Sequence, residues 1–315
     1  MSEDRKRQLL FGITGLASLG TLLAFSKRST TKDKISFHDV TDTARWVAHW
    51  RGVEGQRKDA LFSDPLATKL AGERGKSLAE YFEKHFPGID FIISMRTMVI
   101  DTFLKTLVAE KGVDCVLNLG AGLDTRPYRL TLPNHVKWVE VDLPEMITWK
   151  REQLLLEPPP KIPAEMIALD LSNREERDKL LSKLASENHQ ILVLTEGVIP
   201  YLTEEEVSLL AQDLRKHKSF KYWIVDFTNP KIYRQVKKMN KIMQHCPFQF
   251  FPANFELFFL KQGWQVAERK YLAEEGEKIG RNMPLPLWAR ILFLLLPFTK
   301  IKGAGYAILE SNSTV

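Results

Sequence analysis

Two glycines follow an apolar run near the middle of the sequence. Residues 113–119 have the apolar character of a buried strand, and Gly120, Ala121 and Gly122 come directly after it. Glycine lets a backbone turn and approach a ligand where a side chain would block it. The pattern predicts a loop for a nucleotide-type cofactor. Paired glycines also occur in ordinary strand-to-helix turns, and Thr125 stands in place of the third glycine of a dinucleotide motif.

An acidic residue at the end of the next apolar run strengthens this prediction. Residues 136–142 have the pattern of a second strand, and the strand ends in Asp142, 20 positions beyond Gly122. A carboxylate at that place can accept hydrogen bonds from both ribose hydroxyls of a nucleoside. The loop and the acid together indicate a nucleoside-containing cofactor more strongly than either does alone.

The chain around these two features resembles a known family, the S-adenosylmethionine-dependent leucine carboxyl methyltransferase superfamily. That superfamily includes phosphatase-modifying enzymes and a large bacterial group of O-methyltransferases. The resemblance runs in the family's order over about 41–263. The matching segments are NLGAGLDTR at 118–126, EVDLP at 140–144, TARWVA at 43–48, RKDALFSDPLA at 57–67, SMRT at 94–97 with Asp101, and LTEGVIPYL at 194–202.

The resemblance implies S-adenosyl-L-methionine as the cofactor and assigns roles to individual residues. It places Arg96 on the methionine carboxylate. A salt bridge to Asp101 or Asp124 is the alternative, because an unpaired guanidinium among apolar residues is costly. The predicted cofactor-binding residues are Arg96, Gly120, Ala121, Gly122, Asp124, Asp142, Leu143, Asp170, Leu171 and Glu196.

Two of these residues follow later strands of the predicted sheet. In this fold class the acid after the third strand, Asp170, faces the adenine amino group, and Leu171 supplies an apolar contact. The alternative for Asp170 is to cap the next helix. Glu196 follows the fourth strand at the carboxyl edge, where doubly wound sheets bind ligands, and there it can reach the methionine end of the cofactor.

Strand and helix patterns alternate from residue 114 onward. This predicts an α/β fold with a seven-stranded, doubly wound, Rossmann-like methyltransferase sheet and an N-terminal helical cover. A helix is expected from Pro144 to 156, and Thr203 with Glu206 predicts a capping box that opens a helix reaching 218. The first two strands end at 120 and 142, and the others are expected at 165–171, 190–195, 221–227, 264–271 and 305–310.

The chemistry of the acceptor is left open by the sequence. Methyl transfer from a sulfonium is an in-line displacement that needs an oriented nucleophile and a dry site. A carboxylate acceptor needs no base, whereas a hydroxyl needs one, and Asp226, His245 and Tyr201 are candidates by position. Tyr201 follows Glu196 on the same loop, so it is also expected to shape the acceptor pocket.

The predicted function is therefore an O-methyltransferase that acts on a carboxylate or hydroxyl of a small or lipophilic acceptor, with Tyr201 and Asp226 as catalytic candidates. One alternative is a protein C-terminal carboxyl methyltransferase. Another is a non-catalytic relative that binds the cofactor and regulates a membrane partner. A hydride-transferring dehydrogenase would lack the third glycine of its motif and a recognisable catalytic tetrad.

Composition excludes several other classes of protein. Of the net charge of +6, residues 1–34 hold +4, since seven basic residues there face three acidic ones. No basic stripe interleaved with aromatic residues is present, so a nucleic-acid partner is not expected. The cysteines Cys115 and Cys246 form no disulfide framework and no zinc spacing, which predicts a reducing compartment and no structural metal.

An uncharged stretch at 9–25 sits between basic residues. As a helix it would reach about 25 Å, at the short end for a bilayer. A single-pass N-terminal anchor is expected, with the catalytic domain on the cytosolic side, where charge bias and cofactor supply both place it. A cleaved signal peptide or a buried helix are the alternatives.

The predicted domain organisation follows from these features. Residues 1–34 form an anchor and spacer, and 35–315 form a class I methyltransferase domain with an apolar insert at 273–302. Within the insert, the stretch 285–298 is expected to be either an interfacial membrane segment or a lid over the substrate pocket.

Overall fold

The computed structural model describes residues 40–85, 87–228, 247–284 and 303–312. A short 3₁₀ helix spans Ile199–Tyr201. The helices are α1 (Val40–Gly55), α2 (Pro65–His85), α3 (Ile89–Lys111), α4 (Arg126–Arg129), α5 (Pro144–Leu154), α6 (Arg174–Glu187), α7 (Glu204–Arg215), α8 (Phe255–Lys261) and α9 (Leu272–Lys278). The strands are β1 (Cys115–Leu119), β2 (Lys137–Asp142), β3 (Ala164–Ala168), β4 (Ile191–Thr195), β5 (Phe220–Thr228), β6 (Trp264–Tyr271) and β7 (Ala304–Ser311).

The seven strands form one sheet in the order β3-β2-β1-β4-β5-β7-β6. Strands β1 to β5 run parallel, and β7 is antiparallel to both of its neighbours, β5 and β6. The order reverses between β1 and β4, and such a switch point leaves a ligand crevice outside the carboxyl ends of the strands. The predicted seven-stranded, doubly wound α/β sheet is confirmed.

The two faces of the sheet bury different helices, because successive strand residues point to opposite sides. On one face, Leu117, Val193 and Val225 pack with α6, α7 and α8. On the other, Val116, Leu194 and Ile224 pack against the buried side of α3. The second face is the one on which the polar residues described below are found.

The N-terminal helices α1 and α2 pack next to the glycine loop that follows β1. Ala44 and Ala48 of α1 pack in one apolar cluster with Leu123, which follows the glycine loop, and with Ala67 of α2. Small side chains at this contact let α1 approach the loop closely, so that a Cβ at Gly122 would lie 3.2 Å from the Cβ of Ala44. The expected N-terminal helical cover is therefore part of the fold.

Two helix caps were considered from the sequence, and the structure contains one of them. The capping box of Thr203 and Glu206 is present in full, with each side chain bonded to the other residue's backbone N–H. The alternative role for Asp170 as a helix cap is wrong, because α6 is capped by Asn173, whose side chain accepts from the amide of Glu176. Asp170 instead accepts from the amide of Ser172, 2.8 Å away, in the turn before the cap.

The predicted localisation needs correction. Within the ranges that the structure describes, no helix combines the length and the apolar character required to cross a bilayer. A membrane-anchored protein is thus not supported. The stretches 9–25 and 285–298, on which that prediction was built, lie outside the described residues, as do His245, Cys246 and the domain boundary at 34/35.

Candidate active site at the carboxyl edge of the sheet

A set of polar side chains lies at the carboxyl edge of the sheet, on the face covered by α3. Each is two positions closer to that edge than a buried apolar residue of the strand that contains or precedes it, and side chains two positions apart point to the same face. On β1, for example, Asn118 follows Val116, and on β5, Asp226 follows Ile224. The residues placed in this way are Asn118, Glu140, Glu196, Asp226 and, on the antiparallel β7, Tyr306.

The glycine loop turns sharply at the end of β1. Gly120 has a φ of 65° and Gly122 a φ of 48°, both in the left-handed region. A Cβ on Gly120 would lie only 2.4 Å from Cγ2 of Val198, so a side chain is excluded there by space as well as by conformation. The backbone N–H of Gly120 donates to the carbonyl of Val141 at 2.8 Å, which holds the loop against β2.

Asp142 binds the loop from the end of β2. Its Oδ2 accepts from the amide of Gly122 at 2.6 Å, and its Oδ1 accepts from the amide of Leu143 at 2.7 Å. Burial raises the pKa of Asp142, and these two hydrogen bonds oppose the rise. Because an ionised carboxylate has about four acceptor positions, each oxygen still has capacity for a further donor.

A buried arginine lies directly behind the loop. Arg126, whose side chain is 1% exposed, contacts Oδ1 of Asp101 at 2.8 Å, Oδ2 of Asp124 at 2.6 Å and Oε2 of Glu196 at 2.7 Å. Asn118 also donates to Asp124, at 2.9 Å. The guanidinium of Arg126, which belongs to α4, therefore joins three other segments: α3, the loop after β1 and the loop after β4.

The ion network extends from this arginine to the helical cover. Arg129 binds Asp101 through both terminal nitrogens, at 2.5 and 2.9 Å. Arg51 of α1 binds Asp64 at 2.9 Å and donates to the carbonyl of Leu123 at 2.5 Å. Thr125 donates to Asp64 at 2.6 Å. The cover is thus bonded to the cofactor loop through buried, charge-assisted contacts, the strong class of hydrogen bond.

Glu196 is the acid that connects the network to α3. Its Oε1 lies 2.8 Å from Nε of Arg96. Burial would raise the pKa of Glu196, but the guanidiniums of Arg126 and Arg96 outweigh it, so the pKa lies below its ordinary value. The alternative partners considered for Arg96, Asp101 and Asp124, are both bound to Arg126 instead.

Asp226 and Tyr306 lie opposite each other on β5 and β7. Burial raises the pKa of Asp226 to about 7; Arg96 opposes the rise and Glu196 adds to it. Tyr306 is 4% exposed, and burial raises the pKa of its phenol well above the ordinary value. Tyr201, half-buried in the 3₁₀ helix, interacts electrostatically with the same Arg96. The two predicted catalytic candidates, Tyr201 and Asp226, therefore both interact with the guanidinium of Arg96.

Comparison with known proteins identifies the family. The profile of the leucine carboxyl methyltransferase family matches residues 44–215, which is more than half of the chain. The chain belongs to the leucine carboxyl methyltransferase family.

Curated relatives agree with this assignment. A protein of Frankia alni named as an S-adenosyl-L-methionine-dependent methyltransferase is 28% identical over 273 residues, covering 78% of this chain and 90% of that protein. A protein of the same description from Streptomyces coelicolor is 34% identical over 182 residues, 54% of this chain and 62% of that protein. A solved methyltransferase structure from Thermobifida fusca matches the fold with a TM-score of 0.56 at 17% identity, covering 86% of this chain and 94% of that chain. This member of the family is an S-adenosylmethionine-dependent methyltransferase.

Some buried polar atoms of this protein are available to such a cofactor. Asn118 Oδ1 and Arg126 Nη2 are both buried and have no hydrogen-bond partner among the described residues. Buried polar atoms without partners are costly, and a polar ligand can satisfy them. Together with the loop, in which Gly120 has no room for a side chain, these atoms fit a ligand with a nucleoside and an amino-acid end.

The predicted adenine contacts lie further out. Asp170 is exposed and Leu171 half-buried in the turn after β3, whose last residue, Ala168, pairs with Asp142. The turn therefore flanks Asp142 along the carboxyl edge. No contact of the described residues tests these two assignments, so they remain predictions.

Sequence reasoning missed Arg126 and Tyr306. Arg126 was read only as part of a motif, although an arginine two positions after Asp124 in an otherwise buried loop indicates an internal ion pair. Tyr306 lies on a strand that was predicted correctly. Its place in the site depends on the antiparallel register of β7, which no local pattern specifies.

Proposed function

We propose that this protein transfers the methyl group of S-adenosylmethionine to an oxygen of a small acceptor. The observation that supports this best is Asp226, a carboxylate at the carboxyl edge whose Oδ1 is buried and has no partner among the described residues. It lies on the sheet face of Asn118 and Glu196, next to the predicted cofactor position. An acid in such a position can act as a general base.

The cofactor residues divide into three groups. Asp142 would accept hydrogen bonds from the ribose hydroxyls, since each of its oxygens accepts only one backbone N–H and can accept a further donor. Asp170 and Leu171 would contact the adenine, and Gly120, Ala121 and Gly122 would let the backbone come close to the ligand. Arg96, Asp124 and Glu196 would form the methionine end.

The cofactor supplies an electrophilic methyl on a sulfonium. The chain must hold the acceptor in line with that methyl and exclude water. Tyr201 contributes an aromatic wall, since its ring packs with Phe248 at 5.1 Å between centroids. Its carbonyl accepts from the side chain of Gln249 at 2.7 Å, which fixes the loop after β4.

Two measurements test the proposal. Calorimetric titration with S-adenosylhomocysteine and with NAD should give binding only for the former. Transfer of tritium from S-adenosyl-[methyl-³H]methionine to a small-molecule extract of cells that produce the protein should fall in Asp142→Asn at cofactor concentrations that do not saturate the variant. Asp178→Asn is the matched control, because this exposed acid pairs with Lys216 and not with a residue of the buried ion network. Binding of NAD alone, or label on nitrogen or carbon, would contradict the proposal.

A further inference from the structure

Asp226 and Tyr306 form a facing pair that the cofactor assignment does not use. They are direct partners in the antiparallel pairing of β5 with β7. Directly opposite residues on neighbouring strands have Cβ atoms about 4.5–5.5 Å apart and point to the same face. Both side chains therefore project toward α3, beside Arg96, with which each interacts electrostatically.

The charges around this pair are unfavourable for a second anion. Glu196 and Asp226 are both close to Arg96, and Nε of Arg96 lies 2.8 Å from Oε1 of Glu196. The other nearby guanidinium, Arg126, already contacts three carboxylates. An acceptor carboxylate would thus face Asp226 in a desolvated site, where Arg126 already contacts three acids and Arg96 is shared between Glu196 and the methionine carboxylate assigned to it above. Like charges at such sites are disfavoured.

A neutral hydroxyl suits the same pair. Oδ1 of Asp226 is buried and lacks a partner among the described residues, so it can accept the proton that a hydroxyl donates. The phenol of Tyr306 is 4% exposed and stays protonated, since burial raises its pKa well above the ordinary value, so it can donate to the acceptor oxygen. One acceptor oxygen would then have a proton acceptor and a hydrogen-bond donor.

We propose that the methyl acceptor is a neutral hydroxyl compound, bound with its O–H toward Oδ1 of Asp226 and its oxygen beside the hydroxyl of Tyr306. This rests on the proposed O-methyltransferase function. In the reaction the acceptor oxygen forms a bond to the methyl carbon, and the carbon–sulfur bond breaks with its electron pair going to sulfur. The hydroxyl proton passes to Asp226 and then to solvent. The products are a methyl ether and S-adenosylhomocysteine.

Alkali lability of the product separates the two acceptor classes even while the acceptor itself is unidentified. The full chain is incubated with S-adenosyl-[methyl-³H]methionine and a small-molecule extract of cells that produce it. The labelled product is treated with mild alkali and characterised by mass spectrometry. Methyl esters release volatile labelled methanol, whereas methyl ethers retain the label. An alkali-stable O-methyl product is expected, and volatile methanol would overturn this inference while leaving the proposed function in place.

Absence of any transfer, or a methylated nitrogen, would overturn the proposed function and this inference with it. Variants then test the roles of the pair. Asp226→Asn should lower kcat about 10²- to 10⁴-fold with S-adenosylhomocysteine affinity unchanged, as expected for loss of a general base. Tyr306→Phe should mainly raise KM for the acceptor, as expected for a positioning residue. An Asp226→Asn variant that binds cofactor and turns over at the wild-type rate would overturn the assignment of the base.

Discussion

Replacement of Arg126 by methionine tests whether the buried ion network holds the cofactor edge together. The guanidinium is 1% exposed and contacts Asp101, Asp124 and Glu196 at 2.6–2.8 Å. Methionine is unbranched and uncharged, and although it is shorter it fills most of the same volume. The substitution therefore removes the cation and keeps most of the packing volume, so that the loss of charge dominates the outcome.

The magnitude follows from what remains around each acid. Asp101 keeps Arg129, and Glu196 keeps Arg96. Asp124 keeps only weaker neutral donors as direct partners, the side chain of Asn118 and the backbone amide of residue 126. Removing one member of a buried ion pair typically costs about 3–5 kcal/mol. That is a large share of the roughly 5–15 kcal/mol that stabilises most native proteins.

Urea denaturation followed by circular dichroism measures this loss. The matched control is Arg174→Met, because the side chain of Arg174 is 51% exposed and its partner Asp213 keeps Arg177 and Lys216. Its cost should stay below about 1 kcal/mol. If Arg126→Met is no more destabilising than the control, the network is not a source of stability.

The pH dependence of the difference provides a second check. Burial would raise the pKa of Asp124, but Arg126 and further cations outweigh it and hold the pKa well below its usual range. In the wild type this contributes stability above the unfolded-state pKa that is lost as pH falls. The variant lacks most of that contribution. The stability gap between wild type and Arg126→Met should therefore shrink as the pH is lowered from about 5 toward 2, and a gap that widens there would refute the reasoning.

The remaining predictions concern the loop, the ribose acid and the base. Asp142→Asn should weaken S-adenosylhomocysteine binding about ten- to a hundredfold, equivalent to roughly 1.5–3 kcal/mol, by calorimetry; wild-type affinity would contradict the ribose assignment. Gly120→Ala should abolish cofactor binding because its Cβ would meet Val198 at 2.4 Å, whereas Gly72→Ala, at positive φ with ψ −174° but with nothing within 4 Å, should leave binding intact and cost about 1–3 kcal/mol of stability. The kcat/KM of methyl transfer should rise with pH and level off above about 7, since only ionised Asp226 accepts the proton; a flat profile in the wild type would oppose this role.

Much of the fold could be predicted because its signals are local. Apolar runs that end in Gly120, Asp142 and Glu196 indicate buried parallel strands whose carboxyl ends meet at one edge. The capping box of Thr203 and Glu206 is likewise a local pattern, and it was found where predicted. Strand bounds differed by a few residues, most at β3, which ends at Ala168 and leaves Asp170 in the following turn.

The interior of the site could not be predicted in the same way. Arg126 and Asp101 are 25 positions apart and meet only because α3 packs across the end of β1. Tyr306 reaches Asp226 through strand register rather than sequence proximity. The partner of Arg96 was missed for a related reason. The sequence offered Asp101 and Asp124, but the fold gives both to Arg126 and brings Glu196 to Arg96.

The balance of charge at the carboxyl edge suits the chemistry of methyl transfer. Among the described residues, the network pairs the four acids Asp64, Asp101, Asp124 and Glu196 with the four arginines Arg51, Arg96, Arg126 and Arg129. Asp142 and Asp226 lie outside these pairs, the first held by backbone amides. The ligand side is therefore negative when both are ionised, and a sulfonium placed there is attracted. Methyl transfer removes the sulfonium charge and, in the reaction proposed above, delivers a proton to Asp226. The product S-adenosylhomocysteine has no positive charge, and protonated Asp226 has no negative charge, so the electrostatic attraction between them is lost. The same arrangement of charges therefore favours binding of S-adenosylmethionine and release of S-adenosylhomocysteine.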